Sequence, residues 1–255
     1  VYDKQTGSRA SPCRIVDIGT GRGSNALYLV PALQVPQAWL ALDQDPALLR
    51  EARERVRGLD VPFDTASVQL TAENLDQQVP RDTLLITASA LIDLVSRPWL
   101  VALGATAVAR NAAVLIVLSY AGRFELSPAH PDDAMLRELV NQHQHGNKGG
   151  GEALGPDAAG VLATLMVDAG YFVQTAESPW YLGGADTSGA EASSETSLIR
   201  MLMQGWVEAA IEQSPESRLQ LENWLTAREA QLSQGALRVV VHHLDVLALP
   251  PEPAA

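Results

Sequence analysis

A glycine-rich turn follows the first apolar run of the chain, and its spacing points most directly to chemistry. The run from Arg14 to Ile18 reads RIVDI, and Gly19, Gly21 and Gly23 come after it. Glycine is needed where the backbone takes a positive φ or approaches a ligand that a Cβ would repel. An apolar strand that ends in such a turn before a helix brings main chain to a nucleotide. The segment therefore predicts a nucleotide-binding turn.

The spacing of these glycines separates two classes of nucleotide-binding enzyme. In the dinucleotide fingerprint G-x-G-x-x-G, the third glycine would stand at the position of Ser24. The observed pattern, an acid at Asp17 followed by x-G-x-G-x-G, instead resembles motif one of the class I methyltransferases that use S-adenosylmethionine. The resemblance implies that the turn packs against the methionine part of the cofactor and that the acid orders that end. It assigns cofactor binding to Asp17, Gly19, Gly21 and Gly23.

A carboxylate at the end of the second predicted strand is a further signal. The strand ends in LALDQD, and Asp43 lies about twenty residues past the glycines. A carboxylate at this position can accept hydrogen bonds from both ribose hydroxyls as a bidentate pair. Asp45 is better explained as the N-cap of a helix that Pro46 opens. Asp43 is therefore the predicted ribose ligand.

The resemblance extends to two later segments. After the third predicted strand, where the family has a polar or acidic residue that reaches the adenine amino group, the chain carries Glu73 and Asn74. After the fourth predicted strand, the stretch TASALIDLV resembles the family's segment between cofactor and acceptor, and it holds Ser89 and Asp93. The resemblance implies that Glu73, Asn74 and Ser89 contact the cofactor.

Methyl transfer from a sulfonium depends mainly on the alignment of nucleophile, methyl group and sulfur, so a catalytic side chain is optional. Two side chains are candidates: Asp93, which could hold an amine or hydroxyl, and His143, which could act as a base or acceptor contact. His143 lies with His145 and Lys148 in a segment after the fifth apolar run, at the sheet edge where ligands bind. The alternatives are a helix-terminal carboxylate for Asp93 and solvent-exposed residues for the histidine segment.

Apolar runs that alternate with amphipathic stretches predict a parallel sheet covered by helices. The resemblance implies a three-layer, doubly wound α/β fold with seven mostly parallel strands, the last one antiparallel beside the fifth. The predicted strands are 14–18, 38–43, 68–71, 83–87, 113–120, 172–178 and 238–247. The predicted helices are 46–57, 97–109, 132–144, 155–169, 198–212 and 216–232.

The whole chain, 1–255, is predicted to be a single methyltransferase domain. Residues 14–178 and 238–247 form its core, 122–155 an insertion loop and 194–233 a helical cap. The segment from Gly183 to Ser194, rich in glycine and serine, predicts a flexible linker to that cap. The apolar stripe on the first cap helix indicates packing on the sheet, a lid or a homodimer face, and these alternatives stay open.

The composition argues against several classes of protein and site. Among the 255 residues, 18 lysines and arginines against 30 aspartates and glutamates give a formal charge of −12. An acidic chain disfavours nucleic acid partners, whose phosphates require many basic side chains. No stretch of about 18 apolar residues lacks a charge, so no membrane span is predicted. The single Cys13 cannot form an intramolecular disulfide, so a cytoplasmic location is expected. The sequence contains no cluster of cysteine and histidine with the spacing of a metal site, so no bound metal is predicted.

These observations predict S-adenosylmethionine-dependent transfer of a methyl group to an oxygen or nitrogen atom of a small molecule. Three alternatives stay open: a nicotinamide-dependent oxidoreductase, a methyltransferase acting on protein or RNA, and a non-catalytic subunit that binds the cofactor. Ser24 and the late strand 238–247 weigh against the oxidoreductase. The tetrapeptide SALI after the fourth strand weighs against an RNA base, because it lacks both an aromatic residue and a proline.

Overall fold

The computed structural model describes residues 12–147, 151–183 and 190–252, and within these ranges strands and helices alternate. The strands are β1 (Cys13–Ile18), β2 (Gln37–Asp43), β3 (Phe63–Ser67), β4 (Thr83–Ser89), β5 (Ala113–Ser127), β6 (Phe172–Glu177), β7 (Trp180–Leu182) and β8 (Arg238–Leu249). The helices are α1 (Ser24–Ala32), α2 (Pro46–Val56), α3 (Leu75–Gln78), α4 (Arg97–Arg110), α5 (Asp133–Gln144), α6 (Ala158–Asp168), α7 (Ala190–Gln213) and α8 (Arg218–Ser233). Short 3-10 turns lie at Ile92–Leu94, Gly155–Asp157 and Pro215–Ser217.

The strands form one mixed sheet in the order β3-β2-β1-β4-β5-β8-β6. Strands β1 to β5 pair in parallel, and β8 is antiparallel to both β5 and β6. The predicted fold class, a mostly parallel seven-stranded sheet with its last strand antiparallel beside the fifth, is confirmed. An eighth short strand, β7, pairs with the first half of β8 and was not predicted.

Helices cover both faces of the parallel strands, because successive side chains of a strand point to opposite faces. Ile15 of β1 packs with residues of α1 and α2, whereas its neighbour Val16 packs with residues of α4 and α6. Both side chains are fully buried. The shared direction of β1, β2 and β4 brings their carboxyl ends to one edge of the sheet, where most of the predicted cofactor residues lie.

Strands β5 and β8 continue past the parallel strands as a long antiparallel pair, here called the arm, formed by residues 119–127 and 238–244. Helices α5, α7 and α8 pack on the arm around an apolar core of their own. In that core, the ring of Phe124 stacks on that of Trp206 with the centroids 3.9 Å apart. The predicted cap helices are therefore anchored on an extension of the sheet. The division of the chain into core, insertion and cap stays a prediction.

Three predicted element boundaries are wrong. The third strand is Phe63–Ser67 rather than 68–71, because residues 63–67 are the ones that pair along β2, and Val68 and Leu70 after it pack against the core. The fifth strand continues to Ser127 instead of ending at 120, whereas the predicted helix 132–144 in the segment 122–155 is confirmed as α5. Residues 190–194 belong to α7 rather than to a linker, and residues 184–189 of that predicted linker lie outside the described residues.

A buried ion pair ties α8 to α5. The Nη2 atom of Arg228 donates to both carboxylate oxygens of Asp133 at 2.6 Å, and Nη1 donates to the Pro128 carbonyl oxygen at 2.6 Å. The Trp224 indole donates to the same carboxylate at 2.8 Å. The Arg228 side chain is 0% exposed. Removing one partner of such a pair leaves the other charge without compensation, which is costly in a site from which water is excluded.

We expect Arg228→Ala to lower the free energy of unfolding by about 3–5 kcal/mol, the range for breaking a buried ion pair. Arg218→Ala is the matched control on the same helix, because its pair with Glu222 is exposed, and we expect a loss of at most about 0.5 kcal/mol. Urea unfolding followed by circular dichroism measures both. Equal losses in the two variants would contradict a structural role for the buried pair.

Candidate functional site

A cavity of about 810 Å³ opens at the carboxyl edge of the parallel strands. Residues at or after the ends of four strands line it: 18–19 at the end of β1, 42–44 at the end of β2, 68–73 after β3, and 91, 94–96 and 98–99 after β4. Ligands of open α/β sheets bind outside the carboxyl ends of the strands, and small-molecule sites commonly measure about 300–1,000 Å³. The cavity therefore has the place and the size of a site for a nucleoside-sized ligand.

The glycine turn after β1 has the backbone conformation that the sequence predicted. Gly19, Gly21 and Gly23 have φ angles of 63°, 52° and 77°, which L side chains rarely adopt. A Cβ at Gly19 would stand 3.0 Å from the Leu91 side chain across the cavity wall, and one at Gly23 would stand 3.1 Å from Ala52 of α2. Gly19 thus keeps the cavity open at its floor, whereas Gly23 lets the start of α1 pack on α2.

The backbone amides of this turn are largely occupied within the protein. The Thr20 amide donates to the Leu42 carbonyl oxygen at 3.1 Å, and the Gly23 amide donates to the Thr20 carbonyl oxygen at 2.9 Å. The Gly21 amide donates to Asp43 Oδ2 at 2.8 Å. These three donors are therefore unavailable to a ligand phosphate unless the turn rearranges.

Asp43 lies at the end of β2 and faces the cavity. Its Oδ2 accepts the Gly21 amide, and its Oδ1 accepts the Asp45 amide at 2.9 Å. Each carboxylate oxygen has a second lone pair, so both can accept one more hydrogen bond. The two amides hold the carboxylate in one orientation. Asp45 itself caps α2 by accepting the Ala47 amide at 2.7 Å, in agreement with the sequence prediction.

Asp17 is fully buried and does not line the cavity. One of its carboxylate oxygens accepts the Thr20 hydroxyl, and the other accepts Asn25 Nδ2 at 2.7 Å. Burial, together with the nearby Asp43 charge, raises the pKa of Asp17 to about 6 against the lowering effect of the two hydrogen bonds. Its place indicates that it holds the turn and the start of α1 in position from behind.

The segment after β3 separates the two predicted adenine contacts. Glu73 lines the cavity, and hydrogen bonds from the Thr71 side chain and its own backbone amide hold the pKa of its carboxyl below the usual value. Asn74 instead accepts the Thr71 amide at 2.9 Å and donates to the Gln69 carbonyl oxygen at 2.9 Å. Asn74 therefore shapes the turn, and Glu73 is the one of the two that lines the cavity.

The residues after β4 form the opposite wall of the cavity. Leu91, Leu94 and Val95 line it, but neither Ser89 nor Asp93 does. Asp93 lies in the 3-10 turn between these wall residues, and its Oδ1 is buried without a hydrogen-bond partner. Desolvation raises the pKa of this carboxyl above its usual value.

The structure does not bring His143 to the cavity. Its Nε2 lies 2.9 Å from Glu212 Oε2 of α7, so the pair joins α5 to α7. His145 Nε2 is 3.9 Å from Asp157 Oδ2, and Lys148 lies outside the described residues. No group of three or more His, Cys, Asp or Glu side chains in the described part of the chain is arranged to hold a metal ion. A catalytic role for His143 stays a prediction, and its position does not favour that role.

Sequence reasoning missed Trp99 and the run of residues 68–70 as parts of the cavity wall. The Trp99 indole donates to the Leu70 carbonyl oxygen at 3.3 Å and so links α4 to the loop after β3. The run 68–70 was interpreted as a strand because it is apolar. A third strand that ends at residue 67 instead of 71 makes this run the loop after a strand end, where residues of a parallel sheet face a ligand site.

We expect Asp17→Asn to flatten the pH dependence of stability between about pH 4 and pH 6. The raised pKa of about 6 means that the native state keeps a proton in this window that the unfolded chain releases. The free energy of unfolding of the unmodified protein should therefore fall with rising pH, by up to about 1.4 kcal/mol per pH unit from this group. Urea unfolding of both proteins across the window measures the difference. Parallel curves would show that Asp17 does not titrate there.

Comparison with known proteins gives one sequence relative and a set of structural neighbours. The chain is 39% identical to a trans-aconitate 2-methyltransferase of Methylobacterium nodulans over 79 residues, which are 31% of this chain and 28% of that enzyme. The matched region thus spans less than a third of the relative's length. No protein-family profile matches the chain.

The structural neighbours are distant in sequence. The YcgJ protein of Bacillus subtilis has 16% identity and a TM-score of 0.49, with 94% of this chain and 93% of that one covered. Phosphoethanolamine N-methyltransferase 2 of Haemonchus contortus, solved with S-adenosyl-L-methionine, has 14% identity and a TM-score of 0.41. That match covers 98% of this chain and 51% of the neighbour. The sequence similarity to a methyltransferase is thus limited to 79 residues of this chain.

Proposed function

We propose that this protein transfers a methyl group from S-adenosylmethionine to an oxygen or nitrogen atom of a small molecule. The observation that carries the proposal is the Asp43 carboxylate, which two backbone amides orient beside the glycine turn at the floor of the cavity. A carboxylate held in this way is suited to a ribose diol. The similarity to a methyltransferase over 79 residues supports the same chemistry.

The charge of the cavity supports this cofactor. Asp43 and Glu73 line it, and the described residues of its wall include no lysine or arginine. S-adenosylmethionine carries a positively charged sulfonium, which such a wall stabilises, and its adenine amino group can donate to Glu73. A dinucleotide would bring a pyrophosphate with negative charge. The amides of Thr20, Gly21 and Gly23, which could have compensated that charge, already have acceptors in the protein. These features argue against the nicotinamide-dependent alternative.

The residues of the site would act mainly by positioning. S-adenosylmethionine, when bound, supplies an electrophilic methyl group on sulfur. Asp43 and Glu73 would fix the two ends of its adenosine, while Gly19 leaves space beside Leu91 for the chain that carries the sulfur. Alignment of the reacting atoms can account for a barrier reduction of up to about 7–11 kcal/mol without a dedicated base. The acidic charge of the chain favours a small molecule over a nucleic acid as acceptor.

We expect Asp43→Ala to weaken the binding of S-adenosylhomocysteine by about 1.5–3 kcal/mol, the range for hydrogen bonds to a charged group. Isothermal titration calorimetry measures the effect. Asp45→Asn is the matched control, because it removes one negative charge nearby but keeps a side-chain cap on α2. An unchanged affinity in Asp43→Ala would place the ribose elsewhere and remove the main support for the proposal.

The test of the activity itself starts from ligand binding. Thermal unfolding with S-adenosylmethionine, S-adenosylhomocysteine, NAD and NADP in parallel should show stabilisation by the two adenosyl ligands alone. Transfer of a labelled methyl group to a panel of small molecules, and in parallel to protein and to RNA, then distinguishes the acceptor classes. Stabilisation by NAD alone would support an oxidoreductase. Binding of the adenosyl ligands without transfer to any acceptor would support a non-catalytic subunit.

The location and assembly of the protein stay predictions. In the described residues, no helix is both long enough and apolar enough to cross a membrane. The predictions of a cytoplasmic location and of a homodimer rest on the sequence alone.

A further inference from the structure

Strand β3 has one edge that pairs with no other described strand. It stands first in the sheet order, and its pairing with β2 runs without a bulge. Asp64 is its one charged residue, and the strand contains no proline. Bulges, prolines and several charges are the usual features that keep an edge strand from pairing with another chain. The outer edge of β3 is therefore suited to accept a further strand.

The backbone groups of β3 point alternately to β2 and to this outer edge. The Val68 amide, just after the strand, donates to the Asp43 carbonyl oxygen of β2 at 2.8 Å. Because the direction alternates along a strand, the amides and carbonyl oxygens of residues 64 and 66 also face β2. Those of residues 63, 65 and 67 point away from the sheet. These outward groups are the ones that an added strand would bind.

Helix α2 carries arginines beside the outer edge of β3. Arg50, Arg53 and Arg57 follow the spacing i, i+3, i+7, so they share one face of the helix. Arg53 Nη2 donates to the outward Thr65 carbonyl oxygen at 3.5 Å, which is long for a hydrogen bond. Arg57 pairs with Glu54, and both side chains are exposed. Arg53 and Arg57 also line a cavity of about 430 Å³ whose apolar residues are Val56, Leu59, Val61 and Phe63. The guanidinium groups therefore reach the edge itself.

The two faces of this edge differ in charge. Phe63 packs in the same apolar cluster as Val56 of α2, whereas Ala66 packs against the cluster on the opposite face of the sheet. Asp64 follows Phe63 in the strand, so its side chain is directed to the face away from α2, although the residue contributes to the cavity. A strand added at this edge would have arginines on one face and a carboxylate on the other.

Charge decides which kind of chain fits this edge. Residues 50–57 hold four arginines and two glutamates, in a chain with 18 basic and 30 acidic residues. A second copy paired by a two-fold axis would bring its own arginines to the same place, and like charges repel. A carboxylate, in contrast, can accept two N–H groups of one guanidinium. An acidic segment of a different protein is therefore complementary to the edge.

We propose that the outer edge of β3 binds an extended acidic segment of a partner protein as an added strand. The outward backbone groups of residues 63, 65 and 67 bind its main chain. Acidic side chains at every second position face the arginines of α2, and the residues between them are neutral because they lie beside Asp64. Arg53 exchanges its long contact with Thr65 for a carboxylate of the partner. No residue of β3 lines the cofactor cavity, so this inference is independent of the proposed methyl transfer.

The test titrates the labelled full chain with three blocked peptides and follows its backbone amides by NMR. The peptides are TETETET and the two in which lysine or glutamine replaces glutamate. The glutamate peptide should shift the amide signals of residues 63, 65 and 67 and slow their hydrogen exchange, whereas the lysine peptide should leave them unchanged. The double variant Arg53→Gln and Arg57→Gln should weaken binding by about tenfold or more, as for lost hydrogen bonds to charged groups. Arg81→Gln with Arg123→Gln is the charge-matched control, because both arginines form exposed pairs outside this cavity.

A second variant, Thr65→Pro, tests the added strand without a change of charge. Proline removes an outward amide and is tolerated where the N–H of an edge strand faces solvent, so the pairing of β3 with β2 should persist. We expect this variant to lose peptide binding. Equal binding of the glutamate and lysine peptides, binding that either variant leaves unchanged, or no binding of the glutamate peptide would overturn the inference. Self-association that Thr65→Pro abolishes, measured by sedimentation, would also overturn it, because the edge would then belong to a second copy.

Discussion

The hydrogen bond from the Gly21 amide to Asp43 joins the two strand ends on which the rest of the site depends. It spans from the turn after β1 to the end of β2, and the parallel register that pairs Ile18 with Leu42 makes it possible. Gly21 must have a positive φ to present its amide in this direction. The same contact fixes the carboxylate and uses a donor that a phosphate would otherwise need. One interaction thus orients the Asp43 carboxylate and occupies a backbone donor of the turn.

Buried charges support this arrangement from two sides of the molecule. Asp17 holds the turn through Thr20 and Asn25, and its desolvation is only partly offset by those hydrogen bonds. Arg228, in contrast, has a bidentate partner in Asp133. Asp17 lies beneath the glycine turn, and the pair of Arg228 and Asp133 lies between α8 and α5. A cation therefore compensates the Asp133 carboxylate, whereas neutral side chains hold Asp17.

The sequence was most informative where the backbone itself imposes residue types. Gly19, Gly21, Gly23 and Asp43 were predictable because a positive φ requires glycine and because a strand end places its acid at a fixed position. The third strand was misplaced because the run 68–71 is apolar for another reason: it packs at the cavity wall rather than pairing with β2. His143 lies in the interface between α5 and α7, because the arm carries α5 away from the parallel strands. The arm depends on the pairing of β5 with β8, which are more than 100 residues apart in the sequence. The periodicity of a short segment does not indicate such a pairing.

The arm also makes one strand common to two parts of the molecule. Ser119 and Phe124 both belong to β5, the first opposite Leu244 of β8 and the second stacked on Trp206 of α7. Between them, the register against β8 shifts again. Extra residues at such a bulge can absorb small displacements without breaking the ladder on either side. Small shifts of the cap helices on the arm can therefore be taken up at this bulge, before they reach the strand ends that line the cavity.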